Sequence, residues 1–200
     1  MTTLTDNFDI EWQKMLNGEP YNAGHAGFIK LLSQTRELIF DYNNLRPSCV
    51  DKQQELLDKI LGKHGERIQI NQPFRCDYGC NISIGENFFA NFNLTILDEA
   101  LVTIGDNVFI GPNVSIFTAC HSTVPEERNM TADNQYTEWA EPVTIGNDVW
   151  IGGDVTILPG VAISDGSTIG AGSVVTHNIP ARCVAVGNPC LVIRHIDKDN

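Results

Sequence analysis

Residues 145–180 read IGNDVWIGGDVTILPGVAISDGSTIGAGSVVTHNIP, and this stretch decides the fold. An aliphatic residue returns at every sixth position, at Ile145, Ile151, Ile157, Ile163, Ile169 and Val175, with glycine directly after Ile145, Ile151 and Ile169. With 48 Ile, Val and Leu among 200 residues, six hits in six slots have a chance on the order of 10⁻⁴. A second series follows four positions after the first, at Val149, Val155, Val161, Ser167, Ser173 and Ile179, aliphatic or small as a tight interior requires. A period of six is neither the 3.6 of a helix nor the alternation of a lone strand; it fits a short strand plus a turn. The same frame runs back through Ile104-Gly105, Ile110-Gly111 and Ile116, and further through Ile84-Gly85, Ala90 and Ile96, with a two-residue slip between Ile96 and Ile104. Gly105-Asp106-Asn107 and Gly146-Asn147-Asp148 supply turn conformations. Three such units close a triangular coil, and stacked coils bury the aliphatic slots in one column, which predicts a mainly β protein built as a parallel β-helix over most of residues 68 to 180.

Upstream of residue 66 the composition changes to Leu, Glu, Lys and Gln. Phe28, Leu31, Leu32, Leu38, Ile39 and Tyr42, then Leu56, Leu57, Ile60 and Leu61, fall at helical spacing on either side of Pro47-Ser48, with Gly62 and Gly65 beyond. Two amphipathic helices are expected, preceded by a shorter one around Trp12 to Leu16. The repeat also breaks once: 29 positions separate Ile116 from Ile145, and they hold polar, turn-forming sequence too long for a casual connection. The expected organisation is a helical region over 1–66, a β-helix over 67–184 with a protruding loop at 117–142, and a tail over 185–200.

The chain of 200 residues and 22.1 kDa suits one domain. Its net charge of −12 repels phosphate backbones and anionic lipid, so nucleic acid and membrane are poor partners. Apolar runs are far shorter than a bilayer span, and MTTLTDNFDIEWQK has no basic segment followed by an apolar one, so a cytoplasmic protein is expected. Cys49, Cys76, Cys80, Cys120, Cys183 and Cys190 form no C-x-x-C pair and are read as reduced thiols.

The repeats resemble the hexapeptide-repeat acyltransferases, and within them the maltose/galactoside O-acetyltransferase group, including nodulation-type sugar acetyltransferases. The matching blocks span nearly the whole chain: Lys14-Met15-Leu16-Asn17-Gly18-Glu19-Pro20-Tyr21, Pro73-Phe74-Arg75-Cys76-Asp77-Tyr78-Gly79, Phe88-Phe89-Ala90-Asn91-Phe92-Asn93, Pro142 to Gly153, and Gly187-Asn188-Pro189-Cys190. The resemblance implies a left-handed coil, a homotrimer with sites between subunits, acetyl-CoA as co-substrate and no metal. It implies direct transfer of acetyl to a sugar hydroxyl, with His121 at the base of the long loop as catalytic base; neutral imidazole suits a hydroxyl whose own pKa lies far above neutrality. Asn91 matches a polar group at the reaction centre that holds the acceptor and the oxyanion. Asp77 and Glu99 match positions that hold sugar hydroxyls, since a carboxylate accepts several O–H donors. Trp150, Gly153, Ala171, Thr176, His177 and Arg194 match coenzyme A contacts, Arg194 being suited to phosphate.

The chain departs from the family pattern in three places. No carboxylate follows Tyr21 within the run Asn22 to Gly27, His177 replaces a usual Lys, and Leu191 replaces a usual Arg; Arg182, Arg194 and Lys198 are the basic groups near the implied donor site. Met130, Tyr136 and Trp139 either stack on a sugar or pin the loop. Cys120 offers a rival nucleophile, but adjacent residues on an extended segment point to opposite sides, which separates it from the work of His121. A zinc enzyme needs three converging histidines, whereas His25 and His64 lie in the helical region and His195 in the tail. A serine, xenobiotic or lipid-sugar acceptor, or a non-catalytic scaffold, are the alternative readings.

Overall fold

The computed structural model describes residues 4–131 and 135–196. The six-residue frame folds into a parallel β-solenoid with three faces. Face 1 stacks Ile68–Ile70, Phe88–Ala90, Phe109–Ile110, Trp150–Ile151, Thr168–Ile169 and Cys183–Val186, and Leu191–His195 closes its end antiparallel to the last of these. Face 2 stacks Phe74–Cys76, Leu94–Leu97, Ser115–Phe117, Thr156–Ile157 and Val174–Val175. Face 3 stacks Lys63–His64, Ile82–Ile84, Val102–Ile104, Val143–Ile145 and Ala162–Ile163, with Ile179 bridged beyond it.

Both aliphatic series point inward. Ile145, Ile151, Ile157, Ile163, Ile169 and Val175 are buried, as are Val149, Val155, Val161, Ser167, Ser173 and Ile179. Burying each Ile or Val side chain contributes about 1.5–3 kcal/mol relative to exposure. The two serines fit this interior because each hydroxyl is bonded: Ser167 donates to Pro180 O at 2.7 Å and Ser173 to Gly170 O at 2.5 Å. Two corners turn through left-handed residues. Asn87, Asn107 and Asp148 stack where face 3 passes to face 1, and Asn93, Asn113 and Asp154 where face 1 passes to face 2, all with φ between 56° and 64°. Their side chains form ladders, Asn87 to Asn107 to Asp148 and Asn93 to Asn113 to Asp154, with amide-to-oxygen distances of 2.8–2.9 Å. Asn tolerates this conformation, and the ladder repays its cost in polar contacts.

Helices α1 (Leu4–Leu16), α2 (Ala26–Asn43) and α3 (Val50–Ile60) cap the first coils. Helix α1 is longer than the segment around Trp12 to Leu16 that the sequence predicts, because Phe8 joins Trp12, Met15 and Leu16 on one face. That face packs with Tyr21, Phe28 and Tyr78 in a second, smaller core. Helix α2 begins at His25, whose Nδ1 accepts the Gly27 N–H at 3.1 Å. Tyr42 of α2 donates to Ile70 O at 2.5 Å, tying the helices to the first coil of the solenoid. The long connection is itself ordered into Ala119–Cys120, the short helix α4 (Pro125–Arg128) and Thr137–Ala140. Thr137–Ala140 pairs antiparallel with both Ala119–Cys120 and Tyr21–Asn22. Tyr136 packs against the small core, so it pins this segment, while Met130 stays exposed.

Candidate active site

Six positions carry the chain from face 1 to face 2 in every coil, as from Ile70 to Cys76 and from Ala90 to Ile96. From face 2 to face 3 the count is eight from Cys76 to Ile84, eight from Ile96 to Ile104, and 29 from Ile116 to Ile145. Three successive expansions therefore stack on one corner, and the candidates Asp77, Glu99 and His121 all belong to them.

Asp98 organises the first two expansions. It is fully buried and accepts the N–H groups of Asp77 at 3.1 Å, Tyr78 at 2.9 Å and Asn81 at 3.3 Å, while Asn81 Nδ2 donates to its carbonyl at 2.7 Å. Burial pushes the Asp98 carboxyl up to about 7 against the opposing pull of these backbone donors. Gly79 has φ +72°, and a Cβ there would run into the carbonyl of Ile60, so the expanded corner can pass under the end of α3 only with glycine. Thr118 then locks the second expansion to the third: it accepts the Ala100 N–H at 2.9 Å, donates to Leu97 O at 2.8 Å, and lies 3.2 Å from Glu99 Oε2. Glu99 is buried, and burial together with the neighbouring carboxyl of half-buried Asp77 raises its pKa, which favours a protonated Glu99.

His121 follows Ala119–Cys120 directly, at the mouth of the antiparallel ribbon. Its Nδ1 lies 3.5 Å from Glu138 Oε2, an ion-pairing distance, and its side chain is 55% exposed against 11% for Glu138. Tyr21 donates to Glu138 Oε1 at 2.5 Å from the directly paired position on the next strand. Burial raises the Glu138 pKa, opposed by the Tyr21 hydrogen bond and by attraction to His121. The carboxylate missing after Tyr21 in the sequence is thus matched by one reaching Tyr21 from residue 138. Sequence reasoning missed Glu138, because its partners lie 17 and 117 positions away, and missed the structural work of Asp98 and Thr118. The eight-residue step from Cys76 to Ile84, repeated between Ile96 and Ile104, is the signal that could have located the corner.

The remaining candidates divide between places. Thr176 and His177, whose side chains meet at 2.7 Å, continue the same corner toward the far end of the solenoid. Asn91, Gly153 and Ala171 lie instead on the corner between faces 1 and 2, where Asn91 Oδ1 accepts the Phe92 N–H at 2.8 Å. Trp150 is exposed on face 1 beside Phe109, and Arg194 is exposed on the closing strand. Lys198 lies outside the described residues. Within one chain, then, His121, Asp77 and Glu99 each interact with Glu138 at the corner between faces 2 and 3, and Asn91 lies on the corner between faces 1 and 2. Burial and the nearby Glu141, Glu99 and Glu138 push the Cys120 thiol up to about 11, which disfavours it as a nucleophile. Among the described residues no group of three or more His, Cys, Asp or Glu is placed to hold a metal ion, and no helix is long and apolar enough to cross a membrane.

Comparison with known proteins agrees with this architecture. Residues 14–65 match the maltose acetyltransferase hexapeptide capping motif, residues 101–118 the hexapeptide repeat of succinyl-transferase, and residues 142–177 the bacterial transferase hexapeptide of six repeats. The galactoside O-acetyltransferase of Escherichia coli is 46% identical over 165 residues, 82% of this chain and 79% of that protein. The structure of a maltose O-acetyltransferase from Clostridium difficile superposes with a TM-score of 0.89 at 44% identity, covering 94% of this chain and 98% of the other. A galactoside acetyltransferase in complex with coenzyme A gives 0.88 at 41% identity, covering 94% and 92%. The chain belongs to the hexapeptide-repeat acetyltransferase family, related to the maltose and galactoside O-acetyltransferases. It is an acetyl-CoA-dependent acyltransferase.

Proposed function

We propose that the chain transfers acetyl from acetyl-CoA to a hydroxyl of a sugar or glycoside, with His121 as general base. The observation that carries this reading is the imidazole of His121 backed by buried Glu138 at 3.5 Å, a carboxyl that in turn interacts with Asp77 and Glu99. With Nδ1 turned to Glu138, Nε2 is left to take the acceptor proton as the hydroxyl oxygen attacks the thioester carbonyl. Collapse of the tetrahedral adduct breaks the C–S bond, and the departing thiolate recovers the proton from the imidazolium. Glu138 stabilises that transient cation, and Asp77 and Glu99 orient the acceptor by accepting from and donating to its hydroxyls.

The donor and the oxyanion contacts are assigned to a groove between copies. Asn91, Gly153 and Ala171 on one corner, and His121, Thr176 and His177 on another, are separated by face 2 within a chain. Apposing these two corners around a threefold axis completes each site, with Asn91 of one copy meeting His121 of the next, so a homotrimer is part of the proposal. Trp150 and Arg194 complete the coenzyme A contacts. A cytoplasmic setting is included, supported by the six unbridged cysteines and an abundant cytoplasmic co-substrate. The three-part organisation at 1–66, 67–184 and 185–200 is retained as the functional division into acceptor cap, catalytic solenoid and donor-site tail.

The test is thiol release from acetyl-CoA with maltose, glucosides, galactosides, serine and chloramphenicol as acceptors, comparing the native protein with His121→Ala. The proposal expects sugar-dependent release that falls by about 10² or more in the variant while coenzyme A binding persists. Release that is unchanged in the variant removes His121 from the chemistry; release with serine or chloramphenicol alone reassigns the acceptor.

A further inference from the structure

A cleft of about 510 Å³ opens from Asp77 across the outside of face 2 and is walled on the other side by α2. Its lining includes Arg36, Phe40 and Asn43 from the helix and Arg75, Asp77 and Thr95 from the first two coils. Asn43 fixes the wall: its Nδ2 donates to Phe74 O at 2.8 Å and its Oδ1 accepts the Phe74 N–H at 2.9 Å, so helix and strand cannot slide apart without breaking both bonds. The two guanidinium groups are a different matter. Arg36 and Arg75 have no carboxylate within ion-pairing distance and no hydrogen-bond partner among the described residues. In a chain of net charge −12 with 25 acidic residues, these two exposed arginines make a local positive patch in one cleft. Phe40 is 64% exposed beside them, a flat apolar surface of the kind that stacks on a sugar ring.

We infer that this cleft is a second acceptor subsite, in which Arg36 and Arg75 hold an anionic substituent, phosphate or carboxylate, of the sugar whose hydroxyl is acetylated at His121. The inference rests on the sugar-acetylation reading and names the class of sugar. Arg75 and Asp77 alternate outward along one extended segment, so their Cα atoms stand about 6.6 Å apart, roughly the span of one hexose ring. A ring whose hydroxyls meet Asp77 and Glu99 therefore places a substituent on its far side within reach of the guanidinium groups. The planar fork of arginine matches both phosphate and carboxylate oxygens, and its charge survives at any working pH.

The test compares kcat/KM for glucose with glucose 1-phosphate, and for galactose with galacturonate, at low ionic strength, in the native protein and in the double variant Arg36→Gln, Arg75→Gln. The expected result is an anionic-to-neutral ratio of at least about 10 in the native protein, collapsing toward one in the double variant. Preference in the first pair alone assigns the subsite to phosphate, and in the second pair alone to carboxylate. A native ratio near or below one, as when a second copy covers the cleft, overturns the inference while leaving sugar acetylation intact, as does a ratio that survives in the double variant. If neither these sugars nor maltose, the glucosides and the galactosides are acetylated, sugar acetylation itself fails. Equilibrium titration of glucose 1-phosphate into protein saturated with coenzyme A then decides the cleft: binding lost in the double variant sustains it, and no binding to the native protein overturns it.

Discussion

Replacing Glu138 by Gln isolates the electrostatic part of the proposed catalytic pair. Glutamine keeps the shape of the side chain and an oxygen to accept the Tyr21 hydroxyl, but removes the negative charge 3.5 Å from His121 Nδ1. At that separation an ion pair is worth about 1 kcal/mol in bulk water and about 5 kcal/mol at an effective dielectric near 20. The imidazole is 55% exposed while Glu138 is largely buried, so solvent screening places the value in the lower half, about 1.5–3 kcal/mol. In the proposed mechanism the imidazole gains charge as it takes the acceptor proton, so the loss falls on kcat, a drop of about 10- to 100-fold, with KM for the acceptor nearly unchanged. Thiol-release kinetics on Glu138→Gln, His121→Ala and the double variant make the assay. If Glu138 acts through the imidazole, its replacement costs nothing further once His121 is gone. Additive losses in the double variant, or a rise in KM with kcat intact, refute the argument and return Glu138 to acceptor binding or loop folding.

Co-expressing His121→Ala with Asn91→Ala should recover up to about a quarter of native activity, because mixed trimers assemble some sites from two intact corners; no recovery places both groups in one chain's site. Burial raises the Glu99 pKa to about 9, so this carboxyl loses its proton as pH rises through that value; KM for the acceptor should climb there, and Glu99→Gln, a fixed mimic of the protonated acid, should flatten that climb. Asp98 titrates near 7 in the fold against 3.8 unfolded. The unfolded chain therefore releases this proton first, and the stability from Asp98 should decline between about pH 4 and pH 7 by on the order of 4 kcal/mol. Denaturation of Asp98→Asn across that range should lack this component; equal slopes for variant and native protein contradict the assignment. Asn107 sits at φ 57° with its amide on Asp148, so Asn107→Ala should cost about 1–2 kcal/mol and Asn107→Gly less, read from urea midpoints.

The solenoid was legible because its cause is periodic and local. Every buried slot from Ile145 to Val175 repeats one decision, that a strand of two or three residues turns its aliphatic side chain inward. His121 is legible as a candidate for the opposite reason: it stands where the period stops, at the position where the family resemblance implies a base. What stayed hidden depends on partners far along the chain. Glu138 gains meaning only when Tyr21 and His121 are folded against it, and Asp98 looks like half of an ordinary acidic pair until three backbone N–H groups converge on it. Helix α1 exceeds the length its sequence predicts because Phe8 belongs to a core completed by Phe28 of α2 and by Tyr78 at the corner after Phe74–Cys76.

The placing of the site follows from how a solenoid can change. A coil of three six-residue units has no room to spare at its tight corners: a Cβ on Gly111 or Gly152 would press on the backbone of the next coil at 2.5 and 2.6 Å. Extra residues at such a corner would separate the stacked coils. The face 2 to face 3 corner absorbs two residues, then two more, then the long connection, because each expansion supplies the polar side chain that seals the one before it. Asp98 bonds the backbone of the first expansion, and Thr118 bonds the backbone of the second. The buried Glu99 carboxyl proposed to hold the acceptor is thus tied to the closing of the expanded corner, which leads to a concrete expectation. Thr118→Val keeps the volume but leaves the Ala100 N–H without its acceptor and removes the Glu99 contact, so it should lower stability by about 1–3 kcal/mol and raise acceptor KM together. A variant that loses stability with KM unchanged would show that the corner holds the fold and the acceptor independently.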